Sequence, residues 1–443
     1  MFENQPNKAV RLWGVFSLVT LVLMIGFLVG PRSPAAEQER HCVANLVTNS
    51  PFGLSLGCDA YLNLKLAREP HHLLEPGNFR QSRPLLAIPA WLLRPVFLWA
   101  KDMPAVLGIR PAPDMHPYHL PWTPALLEND FPGFLAYVTI NVLELAAAFA
   151  IYLRLVMGSA TGRGWSVSGA AIAALGAAGL LLIANDVMKA FIYNAHVQMF
   201  NVLAPMLGLL VLAQPAGSPK RAALIGLASG IGVLAYPLLA IVVACYGLRA
   251  LFDLFAERDV RLFLLRGVLV VIAAAIPVLG WYFFVLWWVG SFYSDSVQYR
   301  QLIWIADSFR AGTLIADLGG FVRGLAREAI GQAAALAAMA VMALLLLAAN
   351  WRRAQFDHHD GTLIAAAVAT SIVVLAFHTL AGFTMARVAY GILPPLIVVC
   401  GVLARTALRA ERSAAVAWGT AGVFATVSVI QMAYTIVKAG PYG

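Results

Sequence analysis

Long apolar runs alternate with short polar connections along nearly the whole chain. The runs lie at 12–30, 134–153, 167–184, 197–213, 222–248, 267–289, 329–349, 362–381, 389–404 and 414–437, and most approach the roughly 20 residues that one helical crossing of a bilayer needs. They predict an all-α polytopic membrane protein, a single membrane domain over 1–443. The basic residues of the connections form clusters: Lys8/Arg11, Arg154/Arg163, Lys220/Arg221, Arg258/Arg261/Arg266, Arg352/Arg353 and Arg405/Arg409/Arg412. The positive-inside rule assigns such clusters to the cytoplasm, and all but one pair alternate correctly. The exception is the run 222–248, which has a basic cluster on each side. It is long for one crossing and carries Gly230, Gly232 and Tyr236-Pro237 near its middle, where helix continuity is weakest. Two shorter helices meeting towards the outer face restore the alternation, giving about eleven transmembrane helices, with the N-terminus inside and the C-terminus outside.

Two longer outer segments remain. The first, 31–132, contains an apolar stretch, Leu85 to Ala100, interrupted by Pro89, Arg94 and Pro95, which is expected to lie as an amphipathic helix in the membrane interface. The second is 290–327. The run after Lys8 and Arg11 exceeds the apolar core of a cleaved signal peptide and is read as a retained anchor. No repeat at fixed period is visible, which disfavours an inverted-repeat transporter.

Composition sharpens this picture. Only 12% of the 443 residues are charged and 60% are hydrophobic, against about a quarter charged in soluble domains, so a soluble globular chain is excluded. The net charge of +9 belongs to cytoplasmic connections and lipid phosphates; no basic run with interleaved aromatics points to nucleic acid. Of the four cysteines, Cys42 and Cys58 share the first outer segment, as a disulfide or as two free thiols. No lysine follows a glycine, so there is no phosphate loop of the ATPase kind, and no HExxH zinc motif is present. His71-His72 and His116/His119 lack clustered Cys or acidic partners at ligand spacing and read as loop histidines.

Chemistry concentrates at the outer face. Asp59 opens a helical pattern in which Tyr61, Leu64 and Arg68 recur at spacings of three and four; its carboxylate suits either the N-cap of that helix or a base held at the membrane surface. Downstream come Pro76-Gly77-Asn78-Phe79-Arg80 and Arg83-Pro84-Leu85, and far later Arg387-Val-Ala-Tyr390-Gly-Ile-Leu-Pro-Pro395. Outer basic residues, among them Arg68, Arg80, Arg83, Arg94, Lys189, Arg300, Arg310, Arg323 and Arg387, are more numerous than such connections normally carry, and guanidinium groups there suit a lipid phosphate. Asp186 and Lys189, with Asn194 and His196, occupy a short outer turn and are candidate substrate contacts or a mutual ion pair. Tyr236 sits at the break in 222–248, either facing the outer side or packing. Glu144 lies inside a span, where a charge is costly.

These elements resemble the first outer loop and a late helix of the GT-C superfamily of polytopic glycosyltransferases, in the branch with lipid A aminoarabinose transferases and protein O-mannosyltransferases. There an Asp begins a helix carrying a Tyr, followed by a Gly-Phe element, an Arg-Pro-Leu element and a late Arg-Tyr…Pro pattern. The chain departs from the pattern in a longer first spacer, in lacking a second proline after Arg83-Pro84, and in Val388 and Ala389 separating Arg387 from Tyr390. The resemblance implies transfer of a sugar from a polyprenyl-phosphate donor to a lipid, glycan or protein acceptor, at the outer face of a bacterial inner (plasma) membrane. It implies Asp59 as the catalytic base, Arg80, Arg83 and Arg387 on the donor phosphate, and Tyr61, Asp186, Lys189, His196, Tyr236 and Tyr390 as possible substrate contacts. No cofactor is certain; a divalent metal is possible, since relatives differ in metal use. The competing reading is a transporter or flippase of a lipid-linked or anionic substrate, and a third is a structural subunit of an envelope complex.

Overall fold

The computed structural model describes residues 14, 20–22, 24–31, 43–49, 52–111, 124–158, 168–196, 198–293, 297, 300–354, 356 and 358–438. Cys42 falls outside this set, as do His116, His119 and Arg163, and the side chain of Cys58 is not described; the Cys42–Cys58 pairing therefore lies outside the described residues.

A first apolar helix, α1 (Thr20–Val29), is followed by a small sheet absent from the all-α expectation. Strands β1 (Val43–Val47) and β2 (Gly53–Gly57) pair antiparallel with Val47 opposite Gly53, and the two-residue strand β3 (Arg110–Pro111) joins the other edge of β1. The segment is too short and too rich in turn residues to show a helical period, and Leu46 and Leu56 bury one face in the alternation of a strand. β2 runs directly into α2 (Cys58–Arg68). After a 3-10 turn at Pro70–Leu74 come α3 (Pro84–Leu93), a further 3-10 segment Arg94–Ala100, and α4 (Met103–Leu107). Trp91, Leu92, Val96, Leu98 and Trp99 are left exposed along this stretch, a face suited to a membrane interface. Pro95 and its neighbours break the stretch that the apolar pattern alone would make one helix.

The body of the molecule follows. Helix α5 (Pro124–Gly158) begins eight positions before the end assigned to the first outer segment and carries Pro132 inside it. Next are α6 (Gly169–Gly179), α7 (Asp186–Phe191), α8 (Phe200–Leu212), α9 (Pro219–Val233), α10 (Ile241–Glu257) and α11 (Val260–Val289). Then come α12 (Ile303–Ala311), α13 (Leu314–Gly331), α14 (Ala334–Ala349), α15 (His358–Ala381), α16 (Ala386–Ala389), α17 (Leu393–Ala410) and α18 (Ala414–Val437). Among the described residues, six helices are long and apolar enough to cross a membrane, and α13 with α14, bent by 74°, would make a seventh span if counted together. Helix α13 ends at Gly331, past the bound of 327 expected for the second outer segment. The other crossings expected from the sequence fall on helices that, over the described residues, do not meet this length and hydropathy by themselves.

The run 222–248 is indeed interrupted. Helix α9 stops at Val233, a 3-10 turn spans Pro237–Ala240, and α10 follows. Close packing fixes the directions: a Cβ on Gly226 would meet Val270 O at 2.3 Å, and one on Gly230 would meet Ala274 O at 2.1 Å. Both positions advance together, so α9 and α11 run parallel and α10 returns between them. Small residues are what allow two backbones this close.

Contacts sort into two ends. At the end rich in basic residues, Arg405 pairs with Asp360 and bonds Val156 O, and Asn350 donates to Glu411. At the opposite end, Lys438 pairs with Asp186 at 2.6 Å, Leu85 N donates to Leu234 O at 3.1 Å, and Trp281 donates to Gln81 O at 2.6 Å.

Candidate functional site

The site is assembled from turns at that second end. Residues 75–83 form a compact turn because Gly77 takes φ +77°, a conformation that favours glycine. Side chains then tie it: Asn78 Nδ2 donates to His72 O, Asn78 Oδ1 accepts from Arg80 N, and Gln81 Nε2 donates to Glu75 O. This aims Arg80 at the start of α2. Its guanidinium is 2% exposed, lies over the Phe79 ring at 4.5 Å and pairs with Asp59 at 2.9 Å.

Asp59 does not cap α2. The N-cap is Gly57, without a side-chain bond, and the Asp59 carboxylate turns instead to Arg80 and to His196, whose Nε2 donates to Oδ2 at 3.1 Å. His196 is placed by its neighbours: Asn63 Nδ2 donates to Ala195 O at 2.6 Å, and the Asn141 amide sits beneath the carbonyls of Phe191, Ile192 and Asn194 at 3.0–3.2 Å. Burial pushes His196 down to about 4, against the pull of the Asp59 hydrogen bond and charge, so the ring is a neutral donor at pH 7. For Asp59, desolvation acts upward, but the His196 hydrogen bond and the Arg80 charge together outweigh it and hold the carboxyl well below the usual range. Its side chain is nevertheless 44% exposed, and the exposed part faces a cavity.

That cavity, about 290 Å³, is lined by Asp59, Arg80, Arg83, His196, Tyr236 and Arg387, together with apolar groups from Pro237, Leu238, Phe377, Phe383, Met385 and Val388. Tyr236 is held by a buried network: its hydroxyl donates to Asn201 Oδ1 at 3.1 Å, and Asn201 Nδ2 donates to Gln198 Oε1 at 2.7 Å and to Arg387 O at 2.9 Å. The start of α16 is thereby locked to α8 and to the break before α10.

Other candidates lie elsewhere. Tyr390 is buried, accepts from Asn185 Nδ2 and donates to Leu181 O, both at 2.9 Å, which makes it a brace between helices. Asp186 pairs with Lys438 rather than with Lys189, and Lys189 bonds the carbonyls of Ile436 and Lys438; these residues fasten the end of α18. Tyr61 is half-buried against the apolar core of the first outer segment and does not line the cavity. Arg68 is spent on Glu69 and Asp130, Arg300 and Arg310 on Asp307, and Arg323 on Gly319 O. Arg94 donates to Asn129 O at 3.4 Å, so the arginines expected at the outer face divide into those engaged elsewhere and three that line the cavity.

Gln198, Asn201, Phe377, His378 and Phe383 escaped sequence reasoning. All five sit in or beside apolar runs; a histidine near the end of one was the available signal. Among the described residues, Glu69, His71 and His72 offer metal-ligating atoms within 4.8 Å of one another. His72 is already bridged by Glu69 at 2.7 Å and Glu75 at 2.5 Å, partners that the sequence spacing did not reveal, and this cluster is not on the cavity wall. The cavity itself does not fit a divalent cation: its one carboxylate is engaged by Arg80 and His196, and two further guanidinium groups face it. Comparison with known proteins finds no matching family model, no similar curated protein and no similar solved structure.

Proposed function

We propose that the chain is a membrane glycosyltransferase of the GT-C kind, moving a sugar from a polyprenyl-phosphate donor to an acceptor at the outer face of the membrane. The observation that carries the reading is the convergence of Asp59, Arg80, Arg83 and Arg387, from segments far apart in sequence, on one cavity lined by both arginines and apolar residues. A lipid phosphate needs both: guanidinium groups for its oxygens and apolar surface for its first isoprene units.

In this reading Arg83 and Arg387 bind the donor phosphate and stabilise the charge that grows on it as the sugar leaves, the effect usually largest in such transfers. The acceptor hydroxyl attacks the anomeric carbon from the opposite side in one inverting displacement. Asp59, kept ionised by Arg80 and His196, accepts a hydrogen bond from that hydroxyl and orients it; a carboxylate of such low proton affinity takes the proton only late, as the oxygen becomes cationic. Arg80, buried against Phe79 and Asp59, sets the carboxylate rather than the phosphate.

About eleven spans follow if α1, α6, α8, α9 and α14 cross alongside the six longer helices. The parallel course of α9 and α11 and the separation of contacts into two ends support this, with the basic end cytoplasmic and the cavity facing the periplasm or exterior of a bacterial plasma membrane. A transporter would need polar residues in the middle of several spans, and Asn141, in the same helix as Glu144, is consumed in bracing the 191–194 carbonyls.

The test is binding of polyprenyl phosphate to the full chain in nanodiscs. The Arg83→Gln/Arg387→Gln double variant is expected to lose at least tenfold in affinity; undiminished binding would overturn the reading.

A further inference from the structure

His378, like Ser82 and Gln301, is a polar residue of the cavity wall whose chemistry the proposed reaction leaves unused. It lies near the end of α15, is 2% exposed, and neither Nδ1 nor Nε2 has a hydrogen-bond partner among the described residues. Buried polar groups are nearly always satisfied, and an orphan calls for a reason. Its neighbours supply one. The ring packs edge-on against Phe377 at 5.5 Å, and Phe377 and Phe383 contribute aromatic surface to the same cavity.

A neutral imidazole offers one donor and one acceptor. That pair does not suit a phosphate, whose oxygens only accept and already face the Arg83 and Arg387 guanidinium groups. It suits hydroxyl groups, which both donate and accept. Aromatic faces beside such a donor–acceptor pair provide apolar surface for the C–H face of a sugar ring. Because no hydrogen bond holds the ring, turning either nitrogen towards the cavity breaks none.

We propose that His378 contacts the hydroxyl groups of the sugar carried by the lipid phosphate, and so takes part in selecting the transferred group. This rests on the glycosyl-lipid reading of the cavity. The chemistry requires no proton transfer by His378, only a hydrogen bond given and one received.

The experiment compares two probes on the full chain in nanodiscs: bare polyprenyl phosphate, and polyprenyl phosphate bearing a hexose. The unmodified protein is expected to bind the hexose-bearing probe more tightly. His378→Phe should weaken that probe at least tenfold while leaving bare polyprenyl phosphate within about twofold, the retained binding also serving as the check on folding. His378→Gln, which keeps a donor and an acceptor, should recover part of the loss. Equal weakening of both probes, or of neither, overturns the assignment of His378 while the lipid-phosphate reading stands; failure of the unmodified protein to bind either probe overturns both. Should His378→Phe fail to fold, His378→Gln and His378→Asn carry the same comparison, and a uniform effect across the two probes in these variants refutes the sugar contact.

Discussion

At the scale of single residues, the site is organised around an ion pair of unequal burial: Arg80 is 2% exposed, while the Asp59 side chain is 44% exposed. Removing the Asp59 charge leaves the guanidinium buried without its counter-ion, which is costly. Asp59→Asn is therefore expected to lower the melting temperature as well as cut transfer at least hundredfold, about 2.7 kcal/mol in barrier. The double variant Asp59→Asn/Arg80→Gln removes the orphaned charge, so it should regain melting temperature without regaining activity. Recovery of both together would show that Asp59 serves the fold alone. A second expectation concerns His196. Burial lowers its pKa to about 4 from an ordinary 6.5, so between those values the unfolded chain binds a proton that the folded chain does not, and stability falls as pH drops through that window. Above pH 7 the contribution is flat. Melting curves from pH 8 to 4.5 should fall more steeply for the unmodified protein than for His196→Gln; parallel curves would mean His196 is not held neutral by burial. Asp59, Arg80, Arg83 and Arg387 were legible in sequence because charges stand out between apolar runs. Asn201, Gln198 and His378 were not, because an uncharged polar residue in an apolar run carries no pattern until its partners are known.

At the scale of elements, the break at Tyr236-Pro237 creates the site. It turns α9 into α10 at the cavity, presents Tyr236 to Asn201, and offers the Leu234 carbonyl to the amide of Leu85 just after Arg83-Pro84. The break depends on α9 lying against α11 at glycine distance. Gly226→Leu and Gly230→Leu push a side chain into the carbonyls of Val270 and Ala274 and are expected to sharply reduce the yield of monodisperse protein in detergent. Gly247→Ala, at a position with open space around it, should leave yield unchanged. An equal yield from all three would mean α9 and α11 do not pack as described. The charge pattern exposed this break, since a single helix there would carry basic clusters at both ends. It did not expose the sheet of β1, β2 and β3, whose third strand comes from a segment distant in sequence, nor the 74° bend between α13 and α14, which falls at Gly331-Gln332-Ala333, where the charged pattern of α13 gives way to the apolar α14.

At the scale of the whole molecule, direction is the property that would join fold to the proposed transfer, because that reading needs a lipid-phosphate donor and its acceptor to reach the cavity from one side. Two networks tie the ends of helices together without mixing. Asp360, Arg405, Val156, Asn350 and Glu411 meet at one end; Asp59, His196, Asn185, Tyr390, Asp186 and Lys438 meet at the other. An odd number of misassigned crossings between any two of these residues would place one network at both ends, which the packing does not allow. The proposed orientation rests on positive charge: Arg258, Arg352, Arg353, Arg409 and Arg412 accompany the first network, and the positive-inside rule assigns such clusters to the cytoplasm. Single cysteines introduced at Arg353 and Arg258 should thus react with a membrane-impermeant maleimide only after the membrane is opened, whereas cysteines at Gly312 and Lys101 should react in intact cells. Cys245 and Cys400 are buried and should stay silent, leaving Cys42 and Cys58 to be replaced by Ser for a clean background. Reaction of positions 258 and 312 from the same side would place α11 on one side of the bilayer and remove the physical basis for an outer-facing site. Labelling on opposite sides, with 258 outside, would invert the molecule and turn the cavity towards cytoplasmic substrates.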